Sequence, residues 1–290
     1  MSLSLAKRLA IALFLFFPLT LKAQEPLFWK VQKDGYELLV IGSIHVGDKS
    51  MYPLPKSVSE FLKQSEGLIV EIDLNKPPSG SSFPVSKLKT SDVLDAKQSE
   101  KVAEIASSLG LPDAQILSSP PWLSALSLQM ANFQRLGYNP ADGVDYVLTN
   151  EAIKQEKPIL PLETASQQLG FLNTLPNNGE HLLKETLLHW DTSNDEFHCQ
   201  IDAWKTGDKN RLMQLLQDGE YDESILDILL YDRNRDWVTQ INSGKLLSKE
   251  GQYTVVVGTL HLLGKENVLD LLSQSGWKVS QLSTSTPVRC

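Results

Sequence analysis

The sequence predicts an α/β (α+β) fold with one central mixed sheet formed from N- and C-terminal strands, helices packed around it, and a long helical middle section. Strand-like apolar segments occur near both ends of the chain, at 27–41 and 253–257. Helical periodicity dominates the stretch between about 179 and 243. Because no linker divides the chain, strands that are distant in sequence must meet in one sheet. We therefore expect a single domain over residues 24–290.

The first 23 residues have the pattern of a secretory signal peptide. Lys7 and Arg8 precede an apolar run from Leu9 to Leu19, and a short exit ends at Ala23. The run is too short for a comfortable membrane span, although an uncleaved anchor is the alternative interpretation. No second long apolar run follows, so we expect no stable membrane span after signal cleavage. The expected location is periplasmic or secreted, in a Gram-negative bacterium.

The first strands are predicted to form a hairpin. Leu27–Val31 and Tyr36–Ile41 are apolar segments separated by Asp34-Gly35, a dipeptide typical of hairpin turns. The apolar spacing predicts a helix within 53–66. Leu68–Ile72 has the composition of a buried strand that contains one acid.

The middle of the chain begins with a segment, 77–99, that is rich in Pro, Ser, Gly and Lys and predicts a loop or a small excursion. Apolar spacing then predicts helices at about 99–109, from Pro121 to before Gly137, and at about 143–156. Pro158–Leu162 is short and apolar and is predicted to be a strand, and the prolines at its ends place it near an edge of the sheet or make it brief.

The last third of the chain returns to the sheet. Thr164-Ala-Ser-Gln167 is a capping-box pattern that predicts the start of a helix. Tyr253–Val257 is predicted to be a buried strand, and a helix at about 266–274 and a strand at Trp277–Val279 complete the domain.

The charge balance argues against a nucleic-acid partner. Loss of the signal peptide removes three basic residues and no acids, which moves the formal charge from −8 to about −11. Binding to phosphates requires clustered Lys and Arg, and the sequence contains no such cluster.

The two cysteines, Cys199 and Cys290, leave two possibilities open. An oxidising compartment would permit a disulfide between them, and two unrelated thiols are the alternative. Neither cysteine has the Cys-x-x-Cys spacing of a metal site.

Four polar residues follow the ends of predicted strands: His45, Glu71, Glu163 and His261. Both histidines end a Gly-x-x-His segment, Gly42-Ser-Ile-His45 and Gly258-Thr-Leu-His261. In open α/β sheets, ligands bind at the carboxyl ends of the strands. The sequence therefore predicts that two imidazoles and two carboxylates form one site.

Arg233 is the fifth candidate. It lies in a series of apolar residues that recur at steps of four and so share one helix face: Ile225, Leu229, Trp237 and Ile241. A buried guanidinium needs a carboxylate partner or an anionic ligand, and Glu71 and Glu163 are the obvious partners. A purely structural ion pair between Arg233 and Glu71 is an alternative to a catalytic role. Arg235 is expected to face solvent.

The residue types suit two kinds of chemistry. His45, His261 and Glu71 could hold a divalent metal ion such as Mn, Co or Zn, since imidazole and carboxylate are ligands that these ions accept. Without a metal, one histidine could act as a general base while a glutamate fixes its tautomer. The motifs of zincins, α/β-hydrolases and P-loop proteins do not occur in the sequence.

The order of several short motifs resembles that of the TraB/GumN family across about residues 27–280. The motifs are Leu27-Phe-Trp-Lys30, Gly42-Ser-Ile-His45-Val-Gly47, Tyr52-Pro-Leu-Pro55, Val70-Glu-Ile-Asp73, Gly143-Val-Asp-Tyr146, Pro161-Leu-Glu-Thr164, Asp232-Arg-Asn234 and Val257-Gly-Thr-Leu-His261-Leu-Leu-Gly264. The segment 77–99 matches nothing in that pattern.

The resemblance implies a fold related to erythromycin esterases and haem-binding ChaN-like proteins. It also implies kinship with the Tiki proteins, metal-dependent proteases that act on secreted Wnt ligands. Other relatives are linked to the shutdown of peptide pheromones, and one lies in a polysaccharide-biosynthesis cluster. By position, the implied active centre contains His45, His261, Glu71 or Glu163, and Arg233.

These observations lead to three functional hypotheses. The first is an exported metal-dependent hydrolase, a peptidase, with a peptide or small-molecule substrate and with Arg233 stabilising an oxyanion or orienting a glutamate. The second is a periplasmic binding protein that sequesters a peptide, haem or another small ligand without turnover. The third is an envelope scaffold in which the site is a relic.

Overall fold

The computed structural model describes residues 25–76, 87–218 and 221–290. The predicted signal peptide, residues 1–23, lies outside the described residues. Within the described part, six strands form one mixed sheet in the order β4-β3-β5-β2-β1-β6. The strands are β1 (Phe28–Lys33), β2 (Tyr36–Ser43), β3 (Gly67–Val70), β4 (Ile159–Pro161), β5 (Gly251–Gly258) and β6 (Lys278–Gln281).

The helices account for most of the remaining described chain and confirm the predicted mixed α/β class. They are α1 (Lys56–Gln64), α2 (Thr90–Val93), α3 (Ala96–Ser108), α4 (Asp113–Ser118), α5 (Pro121–Arg135), α6 (Val144–Lys154), α7 (Ala165–Thr174), α8 (Glu180–Leu188), α9 (Ser193–Thr206), α10 (Lys209–Asp218), α11 (Glu223–Leu226), α12 (Asp232–Asn242) and α13 (Val268–Gln274). In the described ranges, no helix combines the length and the apolar character that a membrane crossing requires.

The parallel part of the sheet brings together strands from distant parts of the chain. β2 pairs with β5, β5 with β3, and β3 with β4, all in parallel. The register aligns Ile41 with Val256 and Val256 with Val70. The carboxyl ends of these four strands therefore lie along the same edge of the sheet, which we call the carboxyl edge.

The antiparallel part confirms the predicted hairpin. β1 pairs with β2 and, on its other side, with β6. The turn residues Asp34 and Gly35 both have positive φ, +46° and +82°. Two successive positive φ values match the twist of a tight hairpin, which explains the Asp-Gly dipeptide at this position.

The interior of the sheet is apolar on both faces because helices cover it. β3 is buried along its whole length, and most of β2 and β5 is buried as well. The main core also contains buried side chains from helices that precede and follow these strands, namely α1, α6, α9, α12 and α13. A second cluster, with Ile105, Leu128 and Leu183 among its members, holds α3, α4, α5 and α8 together.

The prediction of a loop or a small excursion over 77–99 is corrected in its second half, which is largely helical. Residues 77–86 lie outside the described residues, but 87–99 contains α2 and the first turn of α3. α2 begins at the fully buried Thr90, whose hydroxyl lies 2.8 Å from the Ser124 hydroxyl on α5. This contact joins residues 34 positions apart, so local composition could not reveal it. The short helix α4 was not predicted either.

The helix that carries Arg233 is less regular than its spacing predicts. A π-helical turn, Asp227–Tyr231, joins α11 to α12. A π turn inserts one residue, and such turns are frequent at functional sites. Arg233, Trp237 and Ile241 still share one buried face, because all three lie within α12.

Cys199 on α9 and Cys290 form a disulfide, with their Cα atoms 5.6 Å apart. The bond closes a loop between positions separated by 91 residues. We expect replacement of both cysteines by serine to lower the free energy of unfolding by about 2–4 kcal/mol, because the unfolded chain regains the freedom of that loop. Urea unfolding of the wild type with and without reductant checks this value. Equal midpoints in the two conditions would contradict it.

Candidate functional site

The carboxyl edge carries all four residues that were predicted to lie at strand ends. They follow the ends of β2, β3, β4 and β5 within three positions and are His45, Glu71, Glu163 and His261. Near His261 the chain and the Glu71 carboxylate are close together, since a Cβ atom at Gly258 would lie 3.1 Å from Glu71 Oε1. Glycine at position 258 therefore lets this glutamate approach the chain closely.

Arg233 joins the two glutamates. Its Nη2 lies 2.6 Å from Glu71 Oε2 and 3.0 Å from Glu163 Oε2, and its Nε lies 2.8 Å from Glu163 Oε1. The arginine side chain is only 12% exposed, and both carboxylates are buried. The ion pairs that the sequence predicted are present, and one guanidinium bridges both carboxylates.

The remaining donors of Arg233 are also used within the protein. Nη1 donates to the backbone oxygen of Leu229 at 3.0 Å and lies 3.1 Å from His261 Nε2. A guanidinium has five N–H groups, and each of them has an acceptor here. Arg233 therefore offers no free donor to a ligand, and of its two predicted roles this geometry favours the orientation of the glutamates.

His261 is held in one tautomer by its neighbours. Because a guanidinium can only donate, Nε2 of His261 accepts from Arg233 and the ring proton resides on Nδ1. Nδ1 lies 2.6 Å from Asn234 Oδ1, and the amide nitrogen of Asn234 donates to the backbone oxygen of Glu266 at 2.9 Å. Asn234 thus fixes the orientation of the imidazole.

Further polar contacts hold the two carboxylates. Trp237 Nε1 donates to Glu163 Oε1 at 2.7 Å. The backbone N–H of Gly258 donates to Glu71 Oε1 at 2.6 Å, and Gln168 on α7 donates to Glu71 Oε2 at 3.1 Å. The buried charges are therefore paired and hydrogen-bonded, which is the condition for their stability in the interior.

His45 lies at the same edge but faces solvent. Its side chain is 66% exposed, and its Nδ1 lies 3.2 Å from Asp145 Oδ1 in the first turn of α6. The N–H of Val144 donates to the Ile44 oxygen at 3.0 Å, which fixes the start of α6 beside the histidine. This arrangement leaves Nε2 as the ring nitrogen that a ligand can reach.

The three ionisable groups have different protonation states. The Asp145 carboxylate raises the pKa of the His45 imidazole to about 9. Burial lowers the pKa of the His261 imidazole to about 3. Burial by itself would raise the pKa of the Glu71 carboxyl, but the cationic surroundings and the Gly258 N–H lower it to about 2. At neutral pH His45 is therefore cationic, His261 is neutral and Glu71 is anionic.

Gly143 permits the close approach of α6 to His45. A Cβ atom at position 143 would collide with the backbone carbonyl of His45. We expect Gly143→Ala to lower the free energy of unfolding by about 1–3 kcal/mol, since the backbone must shift. Gly170→Ala in α7 is the matched control, because no atom lies within 4 Å of its added Cβ. Urea unfolding of both variants measures the difference, and equal stabilities would refute the steric explanation.

Two of the three predicted metal ligands are neighbours, since His261 Nε2 lies 3.9 Å from Glu71 Oε1. His45 contacts Asp145, whereas the Nε2 lone pair of His261 and both lone pairs of Glu71 Oε2 are taken by N–H donors. Within the described residues, no three His, Cys, Asp or Glu side chains are grouped so that they could hold a metal ion. As placed, His45, His261 and Glu71 do not fit a bound divalent ion, and the metal stays a prediction.

Sequence reasoning did not identify three residues of the site: Asp145, Asn234 and Gln168. Two of them lie within motifs that the sequence displays, Gly143-Val-Asp-Tyr146 and Asp232-Arg-Asn234. Asn234 could have been predicted from its position, because it is a polar residue next to Arg233 in a helix with a buried face. Asp145 pairs with a residue 100 positions away, so only the fold reveals its role.

Comparison with known proteins identifies relatives and a family for the chain. Two relatives, from Escherichia coli (strain K12) and Shigella flexneri, are each 32% identical to the chain over 237 residues, which cover 80% of this chain and 86% of the relative. Both carry the description "Uncharacterized protein YbaP". No solved structure shows significant similarity. The model of the TraB/PrgY/gumN family matches residues 27–281. The chain belongs to the TraB/PrgY/gumN family.

Proposed function

We propose that the chain is a hydrolase that cleaves peptide bonds at the carboxyl edge of its sheet. The observation that carries this proposal is the geometry of the carboxyl edge, where an exposed His45 pairs with Asp145 while Glu71 and His261 are buried and bonded to Arg233. The different pKa shifts of the three groups agree with that geometry. Ionisable groups with strongly displaced pKa values cluster at active sites, where they supply proton donors and acceptors. The peptide as substrate class comes from the resemblance to the Tiki proteases.

His45 is the group that transfers a proton to the substrate. Hydrolysis adds a water molecule across the C–N bond, so the leaving nitrogen must gain a proton. His45 is protonated at neutral pH and exposes Nε2, which makes it the general acid. The attacking water releases a proton as the new carboxylic acid forms, and transfer of that proton to His45 restores the starting state.

The buried groups act through His45. The charges of Asp145 and Glu71 both raise the pKa of the His45 imidazole and so keep its proton in place. Arg233 and the Gly258 N–H in turn hold Glu71 in its ionised form and in one orientation. We therefore assign Glu71, Glu163, Arg233 and His261 as positioning residues, and no step depends on the predicted metal ion.

We further propose that the protein is exported and works in the periplasm or outside the cell. The disulfide between Cys199 and Cys290 supports this location, because disulfides persist in oxidising compartments and are rare in the bacterial cytosol. The predicted signal peptide supports the same location.

A peptide library tests hydrolysis against ligand sequestration, the second hypothesis. The purified protein is incubated with the library, and free and bound peptides are followed by mass spectrometry. The proposal predicts new peptide termini that accumulate beyond one equivalent of protein. Retention of one equivalent of intact peptide without new termini would establish a binding protein and reject the hydrolase.

A further inference from the structure

The helix α7 contacts the buried network at the carboxyl edge through two of its side chains. Gln168 Nε2 donates to Glu71 Oε2 at 3.1 Å, and the centroid of the Phe171 ring lies 5.9 Å from Arg233 Cζ. Both partners are groups that the fold largely removes from solvent. Gln168 and Phe171 are themselves half-buried, so they cover part of the network.

The packing of α7 is weaker than that of the other helices. Among the α-helices that the structure describes, α7 alone has no buried side chain. Its apolar residues Leu169 and Leu172 are half-buried where they pack against a small cluster that contains Trp122 and Ile225. Gly170 lies inside the helix, and glycine at such a position weakens a helix relative to alanine. A helix with few buried contacts opens at a lower free energy than the rest of a fold.

The chain on both sides of α7 is suited to a hinge movement. Before the helix, the backbone N–H of Glu163 donates to the backbone oxygen of Glu71 at 2.8 Å, which fixes the chain to the sheet up to this residue. After the helix, three successive residues have positive φ: Asn177, Asn178 and Gly179, at +46°, +54° and +80°. Asparagine and glycine reach this region more easily than other residues. Hinges consist of a few such residues, which absorb the change in the backbone.

The contact between Gln168 and Glu71 has the chemistry of a peptide contact. The side chain of glutamine is an amide, and its N–H donates as the N–H of a peptide bond does. Glu71 Oε1 accepts from a true peptide N–H, that of Gly258, at 2.6 Å. Gln168 therefore fills, on Oε2, a position that suits the N–H of a bound peptide.

We propose that α7 is a hinged cover that keeps the site closed until a peptide substrate displaces Gln168 from Glu71. In the open state the substrate N–H donates to Glu71 Oε2, at the same edge of the sheet as His45. Glu71 then contacts the substrate in addition to acting on His45. The part of the cover in catalysis rests on the proposed function, whereas the opening of α7 does not.

Hydrogen exchange followed by mass spectrometry tests the opening of α7 without a substrate. Protection factors are compared between α7 and α6, a helix of almost the same length that has several buried side chains. We expect the α7 amides of the wild type to exchange at least about 100-fold faster than those of α6, because local openings need much less free energy than global unfolding. Equal protection of the two helices would overturn the proposal.

Two variants should change the opening in opposite directions. Gln168→Ala removes the contact with Glu71, so α7 should exchange about 10-fold faster. Gly170→Ala strengthens the helix without a steric conflict, so α7 should exchange about 2- to 5-fold more slowly. Gln129→Ala is the matched control, because Gln129 donates to Thr186 between α5 and α8 and should leave α7 unchanged. Unchanged exchange in both Gln168→Ala and Gly170→Ala would contradict a hinged cover.

Steady-state kinetics on a cleaved peptide test whether the cover controls the reaction. Because only the open form binds substrate, kcat/KM should follow the population of that form. It should rise in Gln168→Ala and fall in Gly170→Ala by the same factors as the exchange of α7. A lower kcat/KM in Gln168→Ala would overturn the role of Gln168 in closure. Failure of all three proteins to cleave any peptide would reject the proposed hydrolysis, and the exchange experiment would still decide whether α7 opens.

Discussion

Replacement of Arg233 by methionine is expected to lower the free energy of unfolding by about 3–5 kcal/mol in the absence of added metal. The change keeps much of the side-chain volume but leaves the Glu71 and Glu163 carboxylates buried without their shared cation. A buried carboxylate that loses its partner must be protonated or hydrated, and both cost free energy. Urea unfolding followed by circular dichroism measures the effect.

Arg235→Met is the matched control for this prediction. Arg235 lies two positions further along the same helix, pairs with Asp232 and Glu266, and is 44% exposed. Exposed ion pairs contribute about 0–1 kcal/mol, so the control should lose little stability. Adding Glu163→Gln to the Arg233→Met variant should recover part of the loss, because it removes one unpaired charge. Equal losses at positions 233 and 235 would show that the buried network does not stabilise the protein.

Replacement of His45 by glutamine is expected to reduce kcat/KM for a cleaved peptide by about 10²- to 10⁴-fold, the usual contribution of general acid–base catalysis. Stability should fall by about 0–1 kcal/mol, because the variant loses only a largely exposed ion pair with Asp145. Steady-state kinetics on one peptide, together with urea unfolding, separate the two effects.

His189→Gln is the control for His45. His189 is an exposed imidazole 3.5 Å from the Glu185 carboxylate, so it has the same kind of pair away from the carboxyl edge. Its replacement should leave kcat/KM unchanged. Asp145→Asn should lower kcat/KM less than His45→Gln does, since the histidine remains but loses the charge that raises its pKa. A full rate in His45→Gln would remove this residue from the mechanism.

The sequence was sufficient to place the groups that follow strand ends. Glu71, Glu163 and His261 lie at one edge because parallel strands align their carboxyl ends, and that alignment depends only on the order and direction of the strands. The burial of Arg233 followed from helical spacing, even though a π-helical turn precedes it. Periodic patterns in the sequence predict strands and buried helix faces because each of these is a property of a single element.

The remaining features depend on contacts between elements. His45 and Asp145 meet only because α6 packs against the sheet with its first turn beside the end of β2. Likewise, the residue types at the edge suggested metal ligands, but the lone pairs of His261 and Glu71 are directed at the guanidinium. Composition identifies the residues that could bind a metal ion. Whether their lone pairs are available depends on the orientation of the Arg233 side chain.

Peptide cleavage in ¹⁸O-labelled water tests the central claim, that His45 at the carboxyl edge drives hydrolysis, most directly. The wild type and His45→Gln are incubated in parallel with the same peptide library, and mass spectrometry locates new carboxyl termini. The account predicts termini that carry ¹⁸O in the wild-type reaction and nearly none in the variant reaction. Unchanged peptides with the wild type, or equal ¹⁸O incorporation by the two proteins, would contradict it.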